Sequence, residues 1–219
     1  MTVLPDGRIG TAIVRPDGTV DRNLEIPDET LNAVCTVWSP DDSRLACEAW
    51  DDTDSSRGGI YTVQASDGGD LMRVTSPRGY NDLPGDFSPD GSQLVFKRTT
   101  DEASAPLMIV ELEGGDPVPL SDQPFDDPGR FSLDGTSVLT STGGAIIVVG
   151  LDGSVIETIQ EPAASLFGPV WSPDGEWIAF SLGTSGPFAD VFISRIHGAD
   201  RWQVTDTPDN EIRVEWGAG

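Results

Sequence analysis

"FGPVWSPDGEWIAF", residues 167–180, joins a valine and a tryptophan to Ser-Pro-Asp-Gly and then to an apolar run. The phrase recurs as "VWSPDDSRLA" at Trp38, "DFSPDGSQLV" at Phe87 and "RFSLDGTSVL" at Phe131, besides the copy at Trp171. A fifth begins at Trp216, "VEWGAG", where the sequence ends. The spacings are 49, 44, 40 and 45 residues. A period of roughly 40–45 residues is that of a four-stranded propeller blade.

Each repeat subdivides in the same way. After Trp171, "FGPVW", "WIAFSL", "DVFISRI" and "RWQVT" read as strands a, b, c and d. They are short, rich in Val, Ile, Phe and Trp, and bounded by turn residues. The sequence predicts an all-β propeller of four-stranded antiparallel blades. Its complete blades lie at about 32–76, 80–122, 125–160 and 166–206. Residues 3–18, "VLPDGRIGTAIVRPDG", align without a gap to residues 138–153, "VLTSTGGAIIVVGLDG". A fifth blade is therefore expected from residues 1–26 (strands b, c, d) and 211–217 (strand a), with an implied period of 41 residues. Closing the ring in this way removes free sheet edges. The alternative is a piece cut from a larger ring.

The aromatic-Ser-Pro-Asp-Gly phrase, its trailing "RVT" (73–75) and "QVT" (203–205), and its Asp-Gly-Gly or His-Gly turns resemble the PD40, or WD40-like, repeat of TolB-type β-propellers. The resemblance covers essentially the whole chain. Asp42 stands where Gly is usual, and Leu133 where Pro is usual. TolB itself has six blades and an extra N-terminal domain, for which this sequence has no room. The resemblance implies a protein-interaction scaffold of the periplasm or cell envelope. Similar propellers also sit beside peptidase domains in the prolyl oligopeptidase and tricorn groups.

Ser-Pro-Asp-Gly suits a type I turn followed by a left-handed residue. Pro presets φ, Gly takes φ > 0, and the Asp carboxylate accepts local backbone N–H groups. Asp41, Asp90, Asp134 and Asp174 are thus read as structural. Trp38, Phe87, Phe131, Trp171 and Trp216 are expected to pack between blades.

The 219 residues carry 37 acidic and 13 basic side chains, a net charge of −24, with Lys97 the one lysine. Such a surface repels phosphate backbones and anionic membranes, so nucleic acid is not expected as a partner. A basic protein segment or a cation is. No apolar run approaches the roughly 18 residues of a membrane span. "MTVLPDGRIG" lacks the basic and apolar regions of an export signal. A monomer is expected. Cys35 and Cys47 flank a predicted turn, so their strands place them nearly opposite. Two buried free thiols are the expectation, a cross-strand disulfide being geometrically demanding.

Signals for chemistry are sparse. The single histidine, His197, falls in a c–d turn, and no Gly-x-Ser-x-Gly elbow accompanies it. "GTSG" at 183–186 lacks that spacing. No catalytic residue and no resident cofactor are expected. Weak candidates for a loose Ca²⁺ or Mg²⁺ site are Asp51, Asp52 and Asp54, although Arg57 occupies the position where a calcium loop has Gly. The b–c and d–a loops are longer, more varied and more acidic than the other turns, and binding is assigned to them. Asp101, Glu102 and Asp127 fall in these loops. Asp82, Asp126 and Glu211 share one register, five before the aromatic; Asp209 lies nearby. One position before the aromatic the series reads Val37, Asp86, Arg130, Val170 and Glu215, and an Asp86–Arg130 pair is a hypothesis for that row.

The leading reading is a non-enzymatic binding scaffold. The alternatives are a glycan-binding or glycoside-processing five-bladed propeller with paired carboxylates, and an accessory propeller from a larger sensor or peptidase. The tryptophans lie in strands, where packing accounts for them.

Overall fold

The computed structural model describes residues 1–99, 106–160, 165–183, 188–197, 200–211 and 214–216. Asp101, Glu102 and most of "GTSG" fall outside them. Two compact units divide the chain. One comprises Met1–Ala103 with Ile109–Val118, the other Ser104–Met108 with Pro119–Gly219.

In the first unit, β1 (Thr2–Val3) pairs with β2 (Ile9–Gly10), and β3 (Ala12–Val14) with β4 (Val20–Asn23). The first blade follows as an antiparallel meander of β5 (Leu31–Trp38), β6 (Arg44–Asp51), β7 (Gly59–Gln64) and β8 (Met72–Arg73). A second meander contains β9 (Asn81–Phe87), β10 (Gln93–Thr99), β11 (Leu107–Glu111) and β12 (Val118–Pro119). In the second unit the third blade contains β13 (Arg130–Phe131), β14 (Ser137–Thr142), β15 (Ala145–Gly150) and β16 (Val155–Gln160). The fourth contains β17 (Ser165–Trp171), β18 (Trp177–Gly183), β19 (Asp190–Arg195) and β20 (Trp202–Gln203).

The fold is thus a β-propeller arrangement of four-stranded antiparallel blades, with four such blades among the described residues. Val214–Trp216 belongs to no sheet.

The N-terminal strands depart from the ungapped alignment. Val138 pairs with Val149, so Val3 should face Val14; it faces Ile9 instead. Pro5-Asp6-Gly7 makes a turn of its own, with the Gly7 N–H donating to the Leu4 carbonyl at 2.9 Å and the Arg8 N–H to Asp6 Oδ1 at 3.1 Å. That turn cuts the hairpin short. Thr11 lies between β2 and β3 and turns its hydroxyl to β5. It accepts the Cys35 N–H at 2.8 Å and donates to the Ala33 carbonyl at 3.2 Å, capping the edge of β5.

Those bonds also explain a second departure. Cys35 and Cys47 are directly opposite and joined by a disulfide, not left as free thiols. The Cys35 N–H points away from β6, so the pair belongs to the non-hydrogen-bonded class, in which opposed Cα atoms come closest. The half-cystines lie in the first blade's core with Leu24, Leu31, Leu45, Tyr61 and Val63. A separate core in the second unit joins Leu139, Ile146 and Val148 of the third blade to Ile178, Phe180 and Phe192 of the fourth.

Candidate functional site

The Ser-Pro-Asp-Gly turns set the baseline, because all four adopt one geometry. The serine is the hub. Ser88 Oγ donates to Asp90 Oδ1 at 2.6 Å and accepts the Gln93 N–H at 2.9 Å. Asp90 Oδ1 also takes the Ser92 N–H at 3.0 Å. Ser39, Ser132 and Ser172 repeat this with Asp41, Asp134 and Asp174. The serine hydroxyl, followed by donated backbone N–H groups, draws Asp90 down to about 2 and Asp134 and Asp174 below the usual carboxylate range. The Ser39 and Ser43 hydroxyls likewise take Asp41 down to about 2. Leu133 in place of Pro changes none of these bonds. Asp42 adopts φ 58°, the left-handed conformation that Gly91, Gly135 and Gly175 take in the other copies.

The motif aromatics are less uniform. Phe87 and Phe131 are buried. The Trp171 indole N–H donates to the Arg130 carbonyl, and that of Trp216 to the Val170 carbonyl, each at 3.4 Å. Trp38 is 42% exposed, so the packing expected of it is only partial.

At the other end of each sheet the described carboxylates have different settings. Asp82 is buried and receives Arg98 bidentately, at 2.8 and 2.9 Å. Asp126 accepts the Gly143 N–H at 2.9 Å. Glu211 accepts the Thr205 and Thr207 hydroxyls, with Thr205 the main cause of its lowered pKa. The register shared by Asp82, Asp126 and Glu211 therefore yields three local supports. Asp127 Oδ2 takes the Ser141 hydroxyl at 2.5 Å and the Gly168 N–H at 3.0 Å, tying the third blade to the fourth. Asp209 is exposed.

Arg130 pairs with Glu215 at 2.8 Å. These are two members of the row that precedes the aromatics. Asp86 lies on β9, opposite Val95, at a β-bulge. Bulges interrupt the first strand of three blades just before that row, between Cys35 and Val37, Pro84 and Asp86, and Phe167 and Val170. Bulges re-aim the residues that follow them. Pro-Gly at 84–85 and Gly-Pro at 168–169 mark two of these breaks in the sequence, which blade periodicity alone misses; the break between Cys35 and Val37 has no such pair.

The loop after β6 is closed by its own donors. Asp51 Oδ1 accepts the Thr53 N–H at 2.8 Å, while Oδ2 takes the Thr30 hydroxyl at 2.6 Å and Arg57 at 2.9 Å. The Thr30 hydroxyl, followed by the Thr53 donors, holds the Asp51 carboxyl well below the usual range. Arg57 also pairs with Asp28. Asp52 accepts Trp50 Nε1 and Asn32 Nδ2, each at 3.2 Å. Asp54 caps the 3₁₀ turn Ser55–Arg57. Among the described residues no three His, Cys, Asp or Glu side chains converge as a metal site. His197 Nδ1 lies 2.9 Å from Glu157 Oε2 on the surface. A shallow depression lined by Arg22, Ser43, Arg44 and Gln64 opens at the turn end of the first blade. Its arginines are committed, Arg44 to Thr62 and Asp70 and Arg22 to Asp21 and the Ala65 carbonyl.

No known protein-family profile matches the chain. It is 25% identical over 210 residues to a protein named Uncharacterized peptidase YuxL, from Bacillus subtilis strain 168. That match covers 71% of this chain and 31% of YuxL, so the chain spans about a third of the curated relative's length. TolB from Acinetobacter baumannii superposes with a TM-score of 0.68 at 23% identity, covering 92% of this chain and 50% of that one. A protein described as TolB from Agrobacterium tumefaciens gives 0.67 at 19% identity, covering 87% and 67%. An oligogalacturonate lyase and prolyl endopeptidases share the fold at 14% identity. The architecture is that of the TolB-type propeller.

Proposed function

We propose that the chain is a non-enzymatic binding propeller whose acidic d–a and b–c loops receive a basic segment of a partner protein. One observation carries this reading. The acidic side chains of the four repeated turns are all engaged by their own serine and backbone donors, whereas in the d–a loops Asp122 and Asp209 stand exposed and Asp126, exposed as well, accepts the Gly143 N–H. A net charge of −24 raises the local concentration of basic partners and their association rate. The one histidine is engaged with Glu157 on the surface, which supports a binding role over nucleophilic catalysis. Val214–Trp216 is the first strand of a fifth blade in this reading. Its support is Trp216, which bonds the fourth blade as Trp171 bonds the third. The disulfide supports an oxidising compartment such as the periplasm or cell envelope. No helix among the described residues is long and apolar enough to cross a membrane.

The test is a pull-down with the triple charge reversal Asp122→Lys, Asp126→Lys and Asp209→Lys. Asp127 is left intact because it joins two blades. Loss of the partner, together with strong salt dependence in the parent chain, is the expected result. Salt-independent capture that survives the reversal overturns the reading.

A second reading has its own observation. Alignment of 71% of the chain to about a third of a protein named a peptidase supports an accessory propeller of a longer polypeptide. A continuous reading frame into a hydrolase domain in the source gene would establish it.

A further inference from the structure

One cross-strand pair varies from blade to blade. The first residue of strand b and its partner on strand c are Arg44 and Gln64 in the first blade and Ser137 and Gly150 in the third. In the second blade, Gln93 bonds Glu111 at 2.6 Å. In the fourth the pair is Trp177 and Arg195. Trp202, from the next strand, adds a second indole. Its ring centroid lies 5.0 Å from that of Trp177, with the planes tilted by 33°. The Arg195 guanidinium lies 4.2 Å from the Trp177 ring centroid and bonds Glu176 at 2.5 Å.

Packing accounts for Trp177 but not for Trp202, which is 53% exposed. Trp202 is a large ring held by an aromatic neighbour, with about half its surface left to solvent. Tryptophan is the best aromatic partner for a cation, and this cluster already holds one guanidinium against an indole. The net charge of −24 favours cationic visitors and disfavours anionic ones. We propose that Trp202, backed by Trp177, is a docking face for an arginine or lysine side chain of a partner protein. The face is separate from the acidic loops and stands or falls independently of them.

The test follows tryptophan indole N–H signals by NMR, with blocked Gly-Arg-Gly as probe. The same peptide with citrulline, its neutral isostere, is the first control, and maltotriose and cellobiose are the second. The arginine peptide is expected to shift the Trp202 and Trp177 signals saturably, and citrulline to weaken the effect about two- to fivefold. Trp202→Ala should abolish the Trp177 shift, Trp202→Tyr should retain part of it, and Trp38→Phe should leave it unchanged. Thermal melts confirm that each variant is folded. Equal shifts with citrulline, shifts produced by the sugars alone, or an arginine response that survives Trp202→Ala each overturn the proposal. Reversing Asp122, Asp126 and Asp209 should leave the tryptophan shifts in place, so failure at the loops and failure here are read separately.

Discussion

The two ends of each blade use carboxylates in opposite ways. At the turn end, Asp41, Asp90, Asp134 and Asp174 each accept the serine two residues before and a backbone N–H two residues after. At the loop end, Asp82 meets Arg98, Asp126 meets Gly143, Asp127 meets Ser141 and Gly168, and Asp51 meets Arg57. A local bond can be repeated by repeating five residues. A bond to another strand depends on what that strand happens to carry, so it differs in every blade. Repetition therefore marks scaffold, and divergence marks the places where one blade has acquired something of its own.

The sharpest way to break this comparison is to remove a loop-end partner. Arg98→Met leaves Asp82 buried without its cation. Such a loss costs about 3–5 kcal/mol in a fully buried pair and less here, where the Arg98 side chain is 22% exposed; it is read as a lower urea midpoint, and the double variant Arg98→Met with Asp82→Leu should recover much of it. A loss no larger than that of an exposed surface substitution would mean that Asp82 is not the local support described above.

The turn end was legible because its signal is contiguous. "WSPDG" contains the serine hub, the acceptor and the left-handed residue, and only the serine's central role needed coordinates. The loop end was legible in composition alone. Register grouped Asp82, Asp126 and Glu211, yet their partners lie 16, 17 and 6 residues away, on neighbouring strands or turns. Nothing in a period of 40–45 residues encodes those pairings. The Trp177–Trp202 contact was hidden for the same reason, since strand position alone suggested burial.

The disulfide is the next largest effect, and it also separates like from unlike blades. Cys35 and Cys47 are 12 residues apart, and closing such a loop contributes about 3 kcal/mol in the chain-entropy account. Cys35→Ala with Cys47→Ala should lower the thermal midpoint by several degrees, and the parent chain should show the same drop on reduction. An unreduced parent that reacts with a thiol reagent under denaturing conditions would remove the bond.

A smaller effect belongs to the repeated turns and appears in acid. Asp41 and Asp90 are lowered from 3.8 to about 2 in the folded chain. A depressed carboxylate stabilises fully above its unfolded value, and that contribution is lost as pH falls through the folded one. The window is therefore about pH 4 down to about pH 2. Asp90→Ala should be less stable than the parent at pH 7, and the two should converge across that window in a series of thermal melts. Parallel curves down to pH 2 would separate the serine–aspartate bond from acid stability.

Arg130 and Glu215 offer the smallest effect and the finest discrimination. Glu215 is 72% exposed at the side chain, and exposed pairs typically contribute about 0–1 kcal/mol. Glu215→Gln should leave the melting midpoint within about a degree of the parent. Its consequence lies in charge placement, because Arg130 is one of only 13 basic side chains against 37 acidic ones. Removing the Glu215 charge makes that row less negative, so association with a basic partner at the loop end should be slower than the parent's at low salt, and the difference should shrink as salt rises. Unchanged association with unchanged stability would remove the row before the aromatics from the binding surface and leave the d–a loops to carry it alone.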